Sequence, residues 1–184
     1  MTITTQSAKL LTMLLLFISS LAYAQVLKKE EIEQLKFRHI GPIGNRVTCA
    51  VGVPGNDMVY FAGAATGGIW KTSDAGLNWK PVFDDKPVHA IGALAVAISD
   101  VQVMYAGTGE SFIRSNVSIG NGVWKSTDAG ETWQHVGLDN TGRISRIIIH
   151  PTNPDVVYVC AVGHGYAPQK ERGVYKSKIG RAHV

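Results

Sequence analysis

Nine side chains in this chain have the types that could do chemistry on a polar ligand. They are Glu110, Arg114, His164, Tyr166, Glu171 and Arg172, with Asp84, Asp85 and Asp139 near them in the pattern. Hydrolysis of a glycosidic bond needs two carboxyl groups flanking that bond, about 5–10 Å apart. The acids are present, but their separation is not written in a linear chain. Exposed charges and internal ion pairs are the ordinary alternative for each of them. His164 stands between two glycines and reads as a loop contact rather than a metal ligand. No Cys/His cluster has zinc spacing, so no metal and no cofactor is expected.

Two further carboxylates sit in a recurring context. Gly68–Val82, GIWKTSDAGLNWKPV, and Gly122–Val136, GVWKSTDAGETWQHV, agree at 8 of 15 positions with an offset of 54 residues. A third start, GVYKS at Gly173–Ser177, follows 51 residues later. The pattern explains Asp74 and Asp128 without catalysis. An Asp in such a turn accepts hydrogen bonds from its own backbone. Gly76 and Gly130 supply a positive φ at little cost. Trp79 and Trp133 open the next strand and cover the turn with a large ring. The motif therefore reads as a hairpin staple, with Thr72 and Ser126 at its head and Thr132 at its end.

The elements that must position these residues are strands. Upstream of each repeat lie MVYFAGA, VMYAGTG and VVYVCAV, aligned on Tyr60, Tyr105 and Tyr158. A turn precedes each, and before each turn lies another apolar run: RVTCAVGV, ALAVAI and RISRIIIH. A fourth strand follows each tryptophan. Units of about 50 residues with four strands and Gly, Pro, Asn and Asp between them predict an all-β fold, a β-propeller of four-stranded antiparallel blades. The expected blades are residues 46–83, 90–138 and 143–177, two full and one partial.

The link between second and third strands varies. It is 10 residues from Tyr60 to Trp70, 19 from Tyr105 to Trp124 and 17 from Tyr158 to Tyr175. The second and third units thus carry insertions, Glu110–Asn121 and Gly163–Arg172, expected on the face opposite the Asp-containing turns. Loops on a rigid scaffold are where function sits.

The ends read differently. MTITTQSAKLLTMLLLFISSLAYAQ has a basic residue, a short apolar run and an Ala-x-Ala site, the pattern of a signal peptide cleaved after Ala24. Its apolar run is too short to span a bilayer comfortably, so no membrane span is expected in the mature chain, and export is. Residues 25–45 form a lead-in. The ending KIGRAHV, Lys178–Val184, breaks the repeat and resembles the translation of a sequencing-library adapter; it is expected to be non-native.

The formal charge of +4 comes from 18 basic and 14 acidic residues. Without Lys9, Lys178 and Arg181 it falls to 15 against 14, or +1. With no basic run, a nucleic-acid partner is not expected. Cys49 and Cys160 do not make a disulfide framework and are expected to be buried free thiols. Asn116-Val117-Ser118 is a formal glycosylation sequon.

Thr72-x-Asp74-x-Gly76-x-Asn78-Trp79 and Ser126-x-Asp128-x-Gly130-x-Thr132-Trp133 resemble Asp boxes, the bacterial neuraminidase repeats. The second matches the pattern fully; the first has Asn78 for Thr. With FRHIGPIGNRV, GAATGGIWKTSDAG, YAGTGES, GNGVWKSTDAGETW, RIIIHPTNPDVVYV and ERGVYKS, the stretch from Phe37 to Ser177 resembles the first part of the large secreted bacterial propellers related to the sortilin N-terminal domain, often labelled glycosyl hydrolases. The resemblance implies structural boxes on the blade periphery. It implies either a propeller that binds a peptide, protein or glycan on its loop face, or a glycoside hydrolase whose acids lie partly in further blades. The candidate contacts are Glu110, Arg114, His164, Tyr166 and Arg172. FRHI only superficially matches the Phe-Arg-Ile-Pro of sialidases.

Overall fold

The computed structural model describes Lys28, Glu33, residues 41–42, 46–166, 168–177 and 182–183. The chain divides into Met1–His39 and Ile40–Val184, and the architecture below belongs to the second unit. The expected signal peptide lies outside the described residues, as does most of the ending from Lys178. No helix among the described residues is long and apolar enough to cross a membrane.

The fold is all-β, in three four-stranded antiparallel sheets. The first comprises β1 (Val47–Val53), β2 (Asn56–Ala64), β3 (Ile69–Thr72) and β4 (Lys80–Pro81). The second comprises β5 (Ile91–Val96), β6 (Met104–Thr108), β7 (Val123–Ser126) and β8 (Gln134–Gly137). The third comprises β9 (Ile144–Ile149), β10 (Val157–Ala161), β11 (Gly173–Ser177) and the two-residue β12 (Ala182–His183). Each strand pairs with the next in sequence, so each sheet is a meander, and we number the sheets as blades 1, 2 and 3. The first strands β1, β5 and β9 are neighbours, with β5 between the other two, and they line the axial side.

Two apolar layers hold the blades face to face. Between blades 1 and 2 lie Phe61, Ile69, Phe83, Ile91, Met104, Trp124 and Trp133, all buried. Phe83 meets Trp124 and Trp133 edge-on, with centroids 5.5 and 5.7 Å apart. Between blades 2 and 3 lie Tyr105, Val123, Ile144, Ile147, Val157 and Val159. Each fully buried large side chain contributes about 1.5–3 kcal/mol relative to an exposed one.

The alignment on three tyrosines needs a correction. Tyr105 lies opposite Lys125 and Tyr158 opposite Lys176, but in blade 1 the residue opposite Lys71 is Phe61; Tyr60 faces Thr72. Side chains alternate between faces along a strand, so a one-residue offset reverses every assignment. Phe61 is accordingly buried and Tyr60 is 39% exposed.

Candidate functional site

The two S/T-x-D-x-G turns have the same bonding. Asp74 Oδ1 accepts from Asn78 N at 2.9 Å and from Thr72 Oγ1 at 2.8 Å, and Asp74 Oδ2 accepts from Asn78 Nδ2 at 2.7 Å. Asp128 Oδ1 accepts from Thr132 N at 2.9 Å and Ser126 Oγ at 2.7 Å, and Oδ2 accepts from Thr132 Oγ1 at 2.5 Å. The hydroxyls of Thr72 and Ser126 accept in turn from Gly76 N and Gly130 N, both at 2.9 Å. Asn78 and Thr132 thus do the same work with different atoms. The bonds from Asn78, with Thr72 adding to them, hold the Asp74 carboxyl at about 2; those from Thr132, with Ser126, hold Asp128 at about 2. Carboxylates so occupied are anchors for a backbone that visits the left-handed region at Ala75 and Ala129, both at φ 55°. Trp133 is buried and donates from Nε1 to Gly130 O at 3.1 Å, while Trp79 is only half-buried.

The second-to-third-strand loops and the fourth-to-first-strand links meet on one face. Gly68 N donates to His89 O at 2.8 Å, Gly109 N to Ala90 O at 2.7 Å and Gly120 N to Gly142 O at 2.8 Å. The approach is close: a Cβ on Gly109, at φ +90°, would fall 2.1 Å from Gly142 O, so only glycine fits there.

Glu110 belongs to this face but not to its surface. It is fully buried. Its Oε1 accepts from Arg114 Nε at 2.7 Å and pairs with the Arg46 guanidinium; Oε2 takes a long bond from Ser118 N at 3.4 Å. Its own N–H donates to Ser118 O at 2.8 Å. Glu110 therefore closes the insertion on itself and ties it to the residue just before β1. Its carboxylate is thus the shared partner of two arginines inside the protein. Arg114 and Arg46 remain about two-fifths exposed.

The third-blade insertion leans on the second. Tyr166, 73% exposed, donates from its hydroxyl to Arg114 O at 2.6 Å. His164 lies against Gly142, and its backbone is clamped: N donates to Gln169 Oε1 at 2.7 Å and O accepts from Arg172 Nη2 at 2.6 Å. Glu171 O accepts from the Tyr175 hydroxyl at 2.8 Å. Beneath the loop, buried Arg143 donates from Nε to Gly163 O at 2.6 Å, while its Nη1 finds no partner among the described residues. Sequence reasoning passed over Arg143 and Arg46, because each stands outside the insertions, just before a first strand.

The exposed side chains here are mixed. Phe112, Ile113 and Ile119 project from the second insertion beside Arg114, and Tyr166 from the third. Asp84, Asp85 and Asp139 are exposed. Lys86 bonds Asp85 at 2.7 Å and holds its carboxyl below the ordinary range; Asp139 lies 3.5 Å from His135 Nε2. Ser111 and Phe112 also line one end of an axial cleft of about 500 Å³ whose walls are β1, β5 and β9, with Thr48, Ser145 and Arg146 as polar groups. No three His, Cys, Asp or Glu side chains among the described residues group as a metal site would. Cys49 and Cys160 are free and half-buried, and burial pushes the Cys49 thiol up to about 11.

With this geometry in hand, known proteins resemble the chain in one consistent way. No family model matches it. Xyloglucanase Xgh74A of Acetivibrio thermocellus is 32% identical over 99 residues, half of this chain and 10% of that protein; a second Xgh74A from the same organism is 31% identical over 99 residues. The chain spans about a tenth of the length of these curated relatives. An ancestral GH74 enzyme superposes with a TM-score of 0.59 at 23% identity, over 77% of this chain and 18% of that one. The GH74 xyloglucanase from Xanthomonas campestris gives 0.54 at 19% identity, over 76% and 20%. The GH74 enzyme of Niastella koreensis gives 0.53 at 24%, over 69% and 19%. At these identities the likeness is one of fold: the three sheets are blades of a β-propeller similar to those of GH74 enzymes.

Proposed function

We propose that the chain is part of an exported glycoside hydrolase-like propeller that acts on a polysaccharide of the xyloglucan class, and that blades 2 and 3 contribute glycan contacts rather than the catalytic acids. The observation that carries this is the bridge between the two insertions, where Tyr166 donates to Arg114 O at 2.6 Å and leaves its ring, with that of Phe112, open to solvent. Exposed rings beside fixed polar groups suit sugars, whose C–H faces pack on aromatic surfaces and whose hydroxyls need donors and acceptors. Arg114, His164 and Arg172, which belong to the same two insertions, are assigned as the polar contacts. The Glu110 carboxylate is paired with two arginines inside the protein, which supports a positioning role for it rather than contact with the scissile bond. Support for a hydrolase comes from the GH74 resemblance. The Asp-containing turns and the likeness to sortilin-type propellers fit a purely binding module equally, with a peptide or protein as ligand.

The test uses the full-length protein with xyloglucan oligosaccharides. Turnover of xyloglucan, with Phe112→Ala and Tyr166→Ala each raising KM at least tenfold, about 1.4 kcal/mol, and leaving kcat within about twofold, is the expected result. Absence of both turnover and calorimetric binding for xyloglucan and other β-glucans would overturn it in favour of a peptide or protein ligand.

A further inference from the structure

The residue just before each first strand stands at an equivalent place in its blade. Arg46, Ala90 and Arg143 occupy these places. Their carbonyls accept from the residue that follows each second strand: Ala65 N at 2.9 Å, Gly109 N at 2.7 Å and Val162 N at 2.9 Å. Two of the three are arginines, and they differ in their counter-charge. Arg46 pairs with the Glu110 carboxylate of blade 2. Arg143 lies under the insertion of its own blade, where Nε donates to Gly163 O at 2.6 Å.

Arg143 is 3% exposed, and its buried Nη1 has no hydrogen-bond partner among the described residues. Gly109 packs on the Arg143 backbone, but the carboxylate of the next residue, Glu110, is held by Arg46 and Arg114. A guanidinium does not shed its proton on burial, so a buried one needs an anion as well as acceptors for its N–H groups. The Gly163 carbonyl supplies an acceptor but no charge.

The loop leaves space against this guanidinium. A Cβ built on Gly165 would meet nothing within 4 Å except Arg143 Cζ, at 4.0 Å. The surroundings are otherwise closed. The His164 ring lies on Gly142, 3.1 Å from where a Cβ would stand. Gln169 accepts from His164 N and donates to Asn140 O, and Tyr166 donates to Arg114 O. A single uncompensated positive charge beside a gap of about methyl size suits a small anion of one negative charge.

We propose that Arg143 and the space beside Gly165 bind a small monovalent anion, a halide or a carboxylate, and that this anion fixes the third insertion in the position that sets Tyr166 on Arg114. A free anion and the carboxylate of an acidic sugar share this chemistry, and separate probes distinguish them. The site is independent of whether the propeller cleaves a glycan.

The test is hydrogen–deuterium exchange of residues 163–172 in the full-length protein, with ionic strength held constant by a bulky sulfonate salt. Sodium chloride, formate and glucuronate are titrated to about 0.15 M, with glucose as the neutral control. An anion that binds the closed insertion slows exchange through local opening as the site fills. At least one of the three anions is expected to slow it threefold or more and to saturate, and glucose to leave it unchanged. Glucuronate acting at tenfold lower concentration than formate assigns the anion to an acidic sugar; chloride or formate acting without glucuronate assigns it to a free ion. Arg143→Gln is expected to remove the response, and Arg146→Gln, on the axial cleft, to keep it. Where Arg143→Gln fails to fold, Gly165→Val, which fills the space and leaves the arginine, is expected to remove the response. The proposal is overturned if none of the three anions slows exchange, if the response survives Arg143→Gln or Gly165→Val, or if Arg146→Gln removes it equally.

Discussion

The carboxylate of Glu110 and the guanidinium of Arg114 lie one helical-turn spacing apart in sequence, yet no helix joins them; they meet at 2.7 Å because the insertion folds back over a fully buried acid. Arg46 reaches the same oxygen from the residue just before β1. The insertion and the entry to blade 1 are thereby tied through one carboxylate.

Removing that carboxylate is expected to act on stability. Breaking a fully buried pair costs about 3–5 kcal/mol; here both guanidiniums keep two-fifths of their exposure, so Glu110→Ala is expected to cost about 2 kcal/mol. Urea denaturation of the variant measures this. Arg114→Ala, which leaves Arg46 in place, is expected to cost less. A ligand affinity that falls tenfold in Glu110→Ala with unchanged stability would return Glu110 to the ligand site.

The Asp128 turn makes an acid-sensitive contribution. Its carboxyl is held at about 2, below the ordinary value near 4, so the bonds are fully made above about pH 4 and are lost as pH falls toward 2. Asp128→Ala is expected to lower stability at pH 7 by about 1 kcal/mol for each hydrogen bond that water does not replace. It is also expected to flatten the fall in stability between pH 4 and pH 2. Parallel curves for the two proteins across that range, followed by circular dichroism, would show that the turn titrates without consequence.

Gly130 touches more than its own turn. A Cβ there would lie 2.7 Å from Phe61 Cε1 of blade 1, at a backbone φ of +80°. Gly55 has a similar φ, +76°, with nothing within 4 Å. Gly55→Ala is expected to cost about 1 kcal/mol, the left-handed strain alone, and Gly130→Ala about 1–3 kcal/mol more through overpacking. Equal losses in the two variants would mean that the blade contact yields freely.

Lys71 of blade 1 donates to Glu131 of blade 2 at 2.7 Å, with its Nζ 5.5 Å from the centroid of the Phe61 ring. Lys71 holds the Glu131 carboxyl below its ordinary range. A double-mutant cycle with Lys71→Met and Glu131→Gln is expected to give a coupling of about 0.5–1 kcal/mol, falling in high salt because Glu131 is half exposed. A coupling indistinguishable from zero at low salt would reduce Lys71 to a cover for Phe61.

Local chemistry was legible and partnership was not. The S/T-x-D-x-G turns are spelled out in sequence because every side-chain bond made by Thr72 and Asp74, or by Ser126 and Asp128, spans two to four residues, and a backbone that needs αL positions and an acceptor can be recognised from that span alone. The four-strand repeat was legible for the same reason, since each strand pairs with its sequence neighbour across a short turn. Pairing register was not. Tyr60 stands where the repeat suggests a partner for Tyr105, but β3 pairs Phe61 with Lys71, and a slip of one residue carries no signature until the facing strand is in place. The role of Glu110 was hidden for a different reason. Its exposure depends on Arg46, contributed by another blade, and the same Glu–Arg spacing reads equally as a ligand cleft or as an internal pair. So too with Lys71 and Lys125: their recurrence is in the sequence, but Lys71 reaches Glu131 across 60 residues and Lys125 reaches Asp155 across 30, because charge pairs between blades are chosen by which turn faces the lysine, and only the packed sheets decide that.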